Sequence, residues 1–134
     1  MDAGMNTQLD FTESELERRS QVWAAMSELF IDSDVTLLHA HIARELRKHT
    51  YNDTELLHIL VREAGPASYP NMLSVAGEWI GYEPAEARAI VLRYLRLPAP
   101  LRWLRRIAGA ALVNGVIDAH WNAILMRKAE KADA

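Results

Sequence analysis

The sequence predicts an all-α protein, folded as a single compact bundle of six or seven helices. Apolar residues recur at helical spacing in several segments, and no segment alternates apolar and polar residues as a strand would. Glycine, proline or a capping residue separates most of these segments. With 134 residues, 50% of them hydrophobic and 25% charged, the chain is long enough to bury one core.

Two helices are predicted before residue 49. Thr12 and Glu15 have the spacing of a capping box, so the first helix begins there and residues 1–11 form a flexible tail. Its apolar stripe consists of Leu16, Trp23, Met26 and Phe30. Polar residues of the segment Ile31–Thr36 interrupt this stripe, and a second helix is predicted from Thr36 to Lys48.

The middle of the chain contains a third helix and a Gly/Pro-rich stretch. Asn52 with Glu55 predicts the cap of the third helix, and Gly65-Pro66 predicts its end. The stretch Gly65–Pro84 then includes a short amphipathic helix that begins near Pro70 and ends at Gly81. We expect this stretch to join the two halves of the protein.

The last third of the chain predicts a helix from Glu83-Pro84 to Pro98 and a final helical section from Pro100. Asn114-Gly115 is either a helix end with a turn or a tolerated weak point within one long helix. We assign residues 12–128 to the helical domain and residues 129–134 to a frayed tail.

The net charge of −3 conceals an asymmetry. There are 15 acidic and 7 basic residues up to Leu92, but 3 acidic and 8 basic residues from Arg93 onward. We therefore divide the domain into an acidic body, residues 12–92, and a basic C-terminal arm, residues 93–128. The two parts either pack on each other or present two different partner surfaces.

Acidic residues cluster at the predicted helix junctions. Asp and Asn at such places are commonly helix caps. The functional interpretation is an acidic surface that docks on a basic partner, because charge steers association. On that interpretation the partner-binding residues are Glu28, Asp32, Asp34 and Glu78.

The densest basic cluster offers an alternative, a nucleic-acid-binding or regulatory protein. It comprises Arg93, Arg96, Arg102, Arg105 and Arg106, with Trp103 among them, and the candidate contacts are Arg96, Arg102, Arg105 and Arg106. Arginines interleaved with an aromatic residue suit phosphate contacts and base stacking. The acidic balance of the whole chain argues against this class.

Enzyme chemistry has little support in the sequence. No hydrolase elbow, His-Glu-x-x-His motif or phosphate-binding glycine loop is present. Glu55 and His58 have the Glu-x-x-His spacing of di-metal helical bundles, but no second copy exists. The chain has no cysteine, which excludes disulfides and thiolate ligands. We predict neither an enzyme nor a bound metal or cofactor.

Three segments of the chain stand out: Glu28-Leu29-Phe30 with Asp32, Tyr51 with Glu55-Leu56, and Asn71-x-Leu73-Ser74-Val75-Ala76-Gly77-Glu78-Trp79-x-Gly81. They resemble a family of small bacterial proteins of unknown function. The resemblance covers residues 13–95, and the arm from Pro98 onward looks like an addition to it. It implies a bacterial cytoplasmic protein and supplies no catalytic residue or ligand.

Taken together, these features predict a non-enzymatic protein-binding module. Small, acidic, cysteine-free bacterial domains without a catalytic motif are often immunity proteins or inhibitors, so the expected partner is a protein such as a toxin. No membrane partner is expected, because the longest weakly polar run, Ile107–Ile117, is too short to span a bilayer. Homo-oligomerisation stays open, since Trp121, Ile124 and Leu125 either close the core or form a dimer face.

Glu78 carries the first testable hypothesis. It follows Gly77, where the missing side chain lets another backbone approach, and a buried glutamate requires partners. We hypothesise that Glu78 pairs with an arginine of the segment Arg93–Arg106 and joins the body to the arm. Glu78→Gln is then expected to lower the melting temperature at neutral pH. An unchanged thermal unfolding curve would show that the pair is not structural.

Overall fold

The structure, a computed structural model, describes residues 11–30, 38–70 and 83–132. Within these ranges it contains five helices and no strand, which confirms the all-α prediction. In chain order they are α1 (Glu13–Ser27, continued by a 3₁₀ turn at Glu28–Phe30), α2 (His39–Arg47), α3 (residues 53–68), α4 (Pro84–Leu95) and α5 (residues 99–132).

The described residues contain five helices rather than the predicted six or seven, because the short helix predicted near Pro70 lies outside these ranges and α5 continues through Asn114-Gly115 as one helix. Helices α3 and α5 each contain one π turn, a wider turn with i→i+5 hydrogen bonds. In α3 the order is Asp53–Ile59, the π turn Leu60–Ala64 and Gly65–Ser68. In α5 it is Ala99–Val116, the π turn Ile117–Trp121 and Asn122–Ala132.

Gly65-Pro66 does not end α3, because the π turn accommodates both residues. The Gly65 N–H donates to the carbonyl of Leu60, five residues back. A Cβ on Gly65 would lie only 2.7 Å from that carbonyl oxygen, so this approach requires glycine. Pro66 lacks an N–H at the point where the hydrogen-bonding register changes, so its usual cost to a helix is reduced.

The predicted N-caps are confirmed. The Thr12 hydroxyl accepts from the Glu15 N–H at 3.0 Å. Asn52 and Glu55 form a full capping box, in which each side chain accepts from the other's backbone N–H at 2.8 Å. Of the other predicted elements, the helix from Thr36 is described only from Leu38 onward, and the short helix near Pro70 lies outside the described residues.

The core is built around the apolar stripe of α1. Trp23, Met26 and Phe30 are fully buried, and α1 packs along α4 and against α2. The last section of α5 packs on α2, where Trp121 and Ile124 are buried within the single chain. These two side chains therefore close the core, which resolves the alternative left open by the sequence.

The short section Gly65–Ser68 lies at the centre of the bundle. Every residue in it is buried, and it contacts α1, α4 and α5. The next residue, Tyr69, is also buried and lies against Gly109 of α5, where a Cβ would overlap the tyrosine ring. Gly109 thus allows α5 to approach the end of α3 closely.

Within the part of the chain that the structure describes, no helix has the length and apolar character needed to cross a lipid bilayer.

Two glycines of α5, Gly109 and Gly115, form a matched pair for testing how closely α5 approaches Tyr69. Gly109→Ala places a methyl group against the buried ring of Tyr69 and should lower the unfolding free energy by about 1–3 kcal/mol. A methyl group on Gly115 would meet no described residue within 4 Å beyond its own stretch of helix. Gly115→Ala should therefore raise the unfolding free energy by about 0.5–1 kcal/mol through helix propensity. Urea denaturation of both variants measures the two effects. Equal changes would mean that α5 does not pack closely on Tyr69.

Candidate functional site

The π turn of α3 contains two neighbouring charged residues with different burial. Glu63 is buried, with 8% of its surface exposed, whereas Arg62 is exposed. The Glu63 carboxylate accepts from Arg19 Nε at 3.1 Å and Nη2 at 2.8 Å, and from Trp23 Nε1 at 2.8 Å. These three charge-assisted hydrogen bonds satisfy the buried carboxylate and join α3 to α1.

Arg19 is held between aromatic rings as well as by Glu63. Its guanidinium carbon lies 5.0 Å from the ring centroid of Phe11 and 5.5 Å from that of Tyr51. Burial lowers the pKa of Arg19, but the hydrogen bonds and negative charge of Glu63 raise it further, and the net shift is upward. Arg19 is therefore a permanent positive charge whose role is internal.

The π turn of α5 also directs a polar side chain into a helix interface. His120 Nδ1 lies 2.8 Å from His39 Nε2, and the two rings meet edge to face with their centroids 5.0 Å apart. This contact fixes the last section of α5 against α2. Within the described residues no group of three or more His, Asp or Glu side chains could hold a metal ion.

A second set of contacts fixes the middle of α5 over α3. The Tyr69 hydroxyl donates to the Arg105 carbonyl at 3.1 Å, and Arg105 Nη2 donates to the Ala67 carbonyl at 3.4 Å. The Arg105 guanidinium also lies 5.7 Å from the Tyr69 ring and 5.8 Å from the Tyr94 ring. Together with the Gly109 approach, these contacts determine which face of α5 points outward.

The seam between α3 and α5 forms an open groove of about 310 Å³, which we call the α5 groove. Val61 and Arg62 line it from α3, and Trp103, Arg106 and Ile107 line it from α5. Two large apolar side chains of the groove are more than half exposed, Trp103 at 55% and Ile107 at 57%. An exposed apolar patch beside arginines is typical of a protein interaction site.

A neighbouring cavity of about 300 Å³, the arginine cavity, shares Arg62 and Arg106 with the α5 groove. Arg102 and His58 also line it, and Tyr94 and Glu63 contribute to its wall. Arg102 Nη1 donates to the carbonyls of Leu95 at 3.1 Å and Leu97 at 2.7 Å, so it also caps the end of α4.

The structure divides the predicted arginine cluster into groups with different environments. Arg105 points inward between two tyrosine rings, and Arg102 caps α4. Arg106 lines both the groove and the cavity. Arg93 and Arg96 are exposed on and after α4 and line neither.

The predicted acidic surface is described at one position only. Glu28 has 19% of its side chain exposed and lies 3.6 Å from His41 Nε2. Burial raises the pKa of Glu28, although the nearby His41 counteracts part of that rise. Asp32, Asp34 and Glu78 lie outside the described residues, so their roles and the proposed pairing of Glu78 stay predictions.

Sequence reasoning missed the residues Arg19, Arg62 and Glu63. A signal for Glu63 existed, because it stands three residues after the apolar Leu60 and four before the apolar Ala67, on the stripe that faces the core. Arg19 occupies the same kind of position on α1. The opposite charges of Glu63 and Arg19, each on an apolar stripe, indicate a buried ion pair. No sequence pattern marks Arg62.

A family model described as Domain of unknown function (DUF7079) matches residues 17–127. The match supports the predicted kinship with an uncharacterised family, and it includes most of the basic arm that the resemblance left outside. No curated protein matches the chain, and no solved structure does either.

The buried pair predicts a large difference between two isosteric variants. Glu63→Gln leaves the partly buried Arg19 with only a longer contact to Glu15, at 3.5 Å, among the described acidic residues, and should lower the unfolding free energy by about 3 kcal/mol, the lower end of the range for breaking a buried pair. Glu13→Gln removes an ion pair with Arg88 in which the Glu13 side chain is 79% exposed, and it should cost less than about 1 kcal/mol. Chemical denaturation measures both. A loss below about 1 kcal/mol for Glu63→Gln would contradict the structural role of the pair.

Proposed function

The chain belongs to the DUF7079 family of domains of unknown function, and we propose that it is a non-enzymatic protein-binding module whose docking site is the α5 groove. The occupant we propose is an acidic amphipathic helix or segment of a partner protein. The exposed Trp103 and Ile107 beside Arg106 carry this proposal.

The apolar part of the groove supports a protein partner. Trp103 and Ile107 lie four residues apart on α5, and Val61, with 36% of its surface exposed, lines the groove from α3. Tryptophan and arginine are among the residue types most enriched in binding hot spots. A groove between two helices, lined by large apolar side chains, suits the apolar face of a partner helix.

Charge indicates which partner helix would fit. Arg62 and Arg106 border the groove, and neither forms an ion pair or hydrogen bond within the described residues. Asp or Glu beside the apolar face of the partner would meet these two guanidinium groups. Such pairs contribute mainly to orientation and association rate.

The same arginines would serve a nucleic acid, the alternative drawn from the sequence. Trp103 could stack on one base, but the other large exposed apolar side chains of the groove, Val61 and Ile107, are aliphatic and do not extend that stacking surface. The net charge of −3 is also unfavourable for binding a polyanion. A protein partner therefore has the stronger support.

The subclass predicted from the sequence remains compatible with this docking site. An immunity protein or stoichiometric inhibitor is a protein-binding module, and a toxin would then be the partner that occupies the α5 groove. The acidic residues Asp32 and Asp34 provide the competing docking surface, and variants can separate the two.

Site-specific cross-linking tests the proposal. A photo-cross-linking residue replaces Trp103 in one variant and Met126 in a control, because Met126 is 65% exposed on the last section of α5. A partner that cross-links only from position 103 is then purified and titrated against the uncross-linked protein by calorimetry. We expect one-to-one binding, and a Kd at least about 30-fold higher for Trp103→Ala, the equivalent of about 2 kcal/mol.

Several outcomes would overturn the proposal. Binding that is lost with Asp32→Lys and Asp34→Lys but kept with Trp103→Ala would place docking on the acidic surface. Binding to RNA or DNA with a steep salt dependence, lost with Arg62→Ala and Arg106→Ala, would indicate a nucleic-acid partner. A cross-link to a second copy, with a dimer detected by light scattering, would make the groove a self-association surface.

A further inference from the structure

We propose that the arginine cavity binds the phosphoryl group of a phosphate monoester. This inference goes beyond the docking function, because a small anion would bind there even if no protein occupied the α5 groove. The cavity lies between α3, α4 and the start of α5, and its volume of about 300 Å³ is at the lower end of the range for ligand pockets.

The charges that line the cavity are unbalanced. Arg62, Arg102 and Arg106 contribute three positive charges. Glu63 is the acidic residue of the lining, and its two oxygens already accept hydrogen bonds from Arg19 and Trp23. Its negative charge is therefore paired with Arg19 on the other side of the wall, and three guanidinium groups remain without a counter-charge in the lining.

Two of these guanidinium groups are also without hydrogen bonds to protein. Arg102 caps α4, but Arg62 and Arg106 form no hydrogen bond or ion pair with any described residue. The two residues come from different helices and meet at one cavity. Planar guanidinium groups that converge from two sides match the oxygens of a phosphate group.

Tyr94 provides an independent observation. Its residue surface is only 3% exposed, it lines the cavity, and its hydroxyl forms no hydrogen bond with any described residue. The hydroxyl oxygen is accessible to solvent rather than enclosed by protein. The hydroxyl can donate to an oxyanion bound beside Arg62 and Arg106.

The electrostatics at Tyr94 show that the arginine charges converge there. Burial raises the pKa of the Tyr94 hydroxyl, and positive charges act against that rise. Those charges belong to Arg106, Arg102, Arg105 and Arg62. An anion in the cavity would be stabilised by the same charges that favour the tyrosinate.

The geometry favours a phosphoryl group over a carboxylate. A phosphate monoester carries up to two negative charges and presents three oxygens in different directions. Donors reach this cavity from three helices: Arg62 from α3, Tyr94 from α4, and Arg102 and Arg106 from α5. The ester group has room to extend into solvent or into the adjoining α5 groove, because Arg62 and Arg106 line both.

Calorimetric titration with defined anions tests the inference. Inorganic phosphate is titrated first, in buffer of constant ionic strength set with sodium chloride. Glycerol phosphate then represents a free phosphate ester, and a phosphoserine peptide represents a phosphorylated protein. Succinate provides the dicarboxylate comparison. We expect phosphate and at least one ester to bind, and the tighter ester to identify the source of the phosphoryl group.

Matched variants locate the site. Arg62→Ala with Arg106→Ala should raise the Kd for phosphate at least about tenfold, because two charge-assisted contacts are lost. Arg93→Ala with Arg96→Ala removes the same charge outside the cavity and should change it less than about twofold. Arg62→Ala alone provides a variant at an exposed position, where the fold is not at risk. Tyr94→Phe should weaken binding while removing no charge.

Three results would overturn the inference. They are the absence of phosphate binding above the chloride background, equal losses from the two double variants, or tighter binding of succinate than of any phosphate. Trp103→Ala separates this inference from the proposed docking function. It should raise the Kd for the partner protein at least about 30-fold and leave the phosphate Kd unchanged, so the failure of one proposal does not imply the failure of the other.

Discussion

The buried pair between Glu63 and Arg19 is the constraint on which the rest of the structure depends. A carboxylate in the core is tolerated only with full hydrogen bonding, and Arg19 and Trp23 of α1 supply it. This requirement fixes α3 against α1. It also determines that Arg62, the preceding residue, points away from the core and towards α5. One buried interaction thereby positions a surface charge that both proposed binding sites use.

The two sides of the first section of α5 differ: one packs on the bundle, and the other presents exposed side chains to the proposed binding partner. The inner side approaches Tyr69 at Gly109 and presents Arg105 to two tyrosine rings. The outer side leaves Trp103 and Ile107 exposed. Since Arg106 lies between the α5 groove and the arginine cavity, a protein segment in one and an anion in the other would contact the same guanidinium group. Occupation of the two sites would then be energetically coupled.

Contacts between residues close in sequence could be predicted, whereas contacts between residues distant in sequence could not. The caps at Thr12 and Asn52 were predictable because each depends on residues three positions apart. Gly65-Pro66 was expected to end a helix, yet burial among three other helices and a π turn carry α3 through it. The arginine cluster was visible as a run of charge. The structure divides these arginines into one that points inward, one that caps α4 and one that lines the cavity. That division depends on contacts with Tyr69, Tyr94 and Arg62, which no sequence pattern links to the cluster.

The two π turns have a consequence for how relatives of this protein are to be compared. A π turn holds one residue more than the α-helical turn it replaces. A relative that lacks one residue between Leu60 and Ala64 can therefore form a regular α-helix there, and the later part of the helix can keep its orientation. Tyr69 would still face α5, whereas Arg62 and Glu63 would no longer hold the positions that the π turn gives them. A single-residue gap inside this helix would thus mark a relative that shares the fold but not the arrangement of charges on α3.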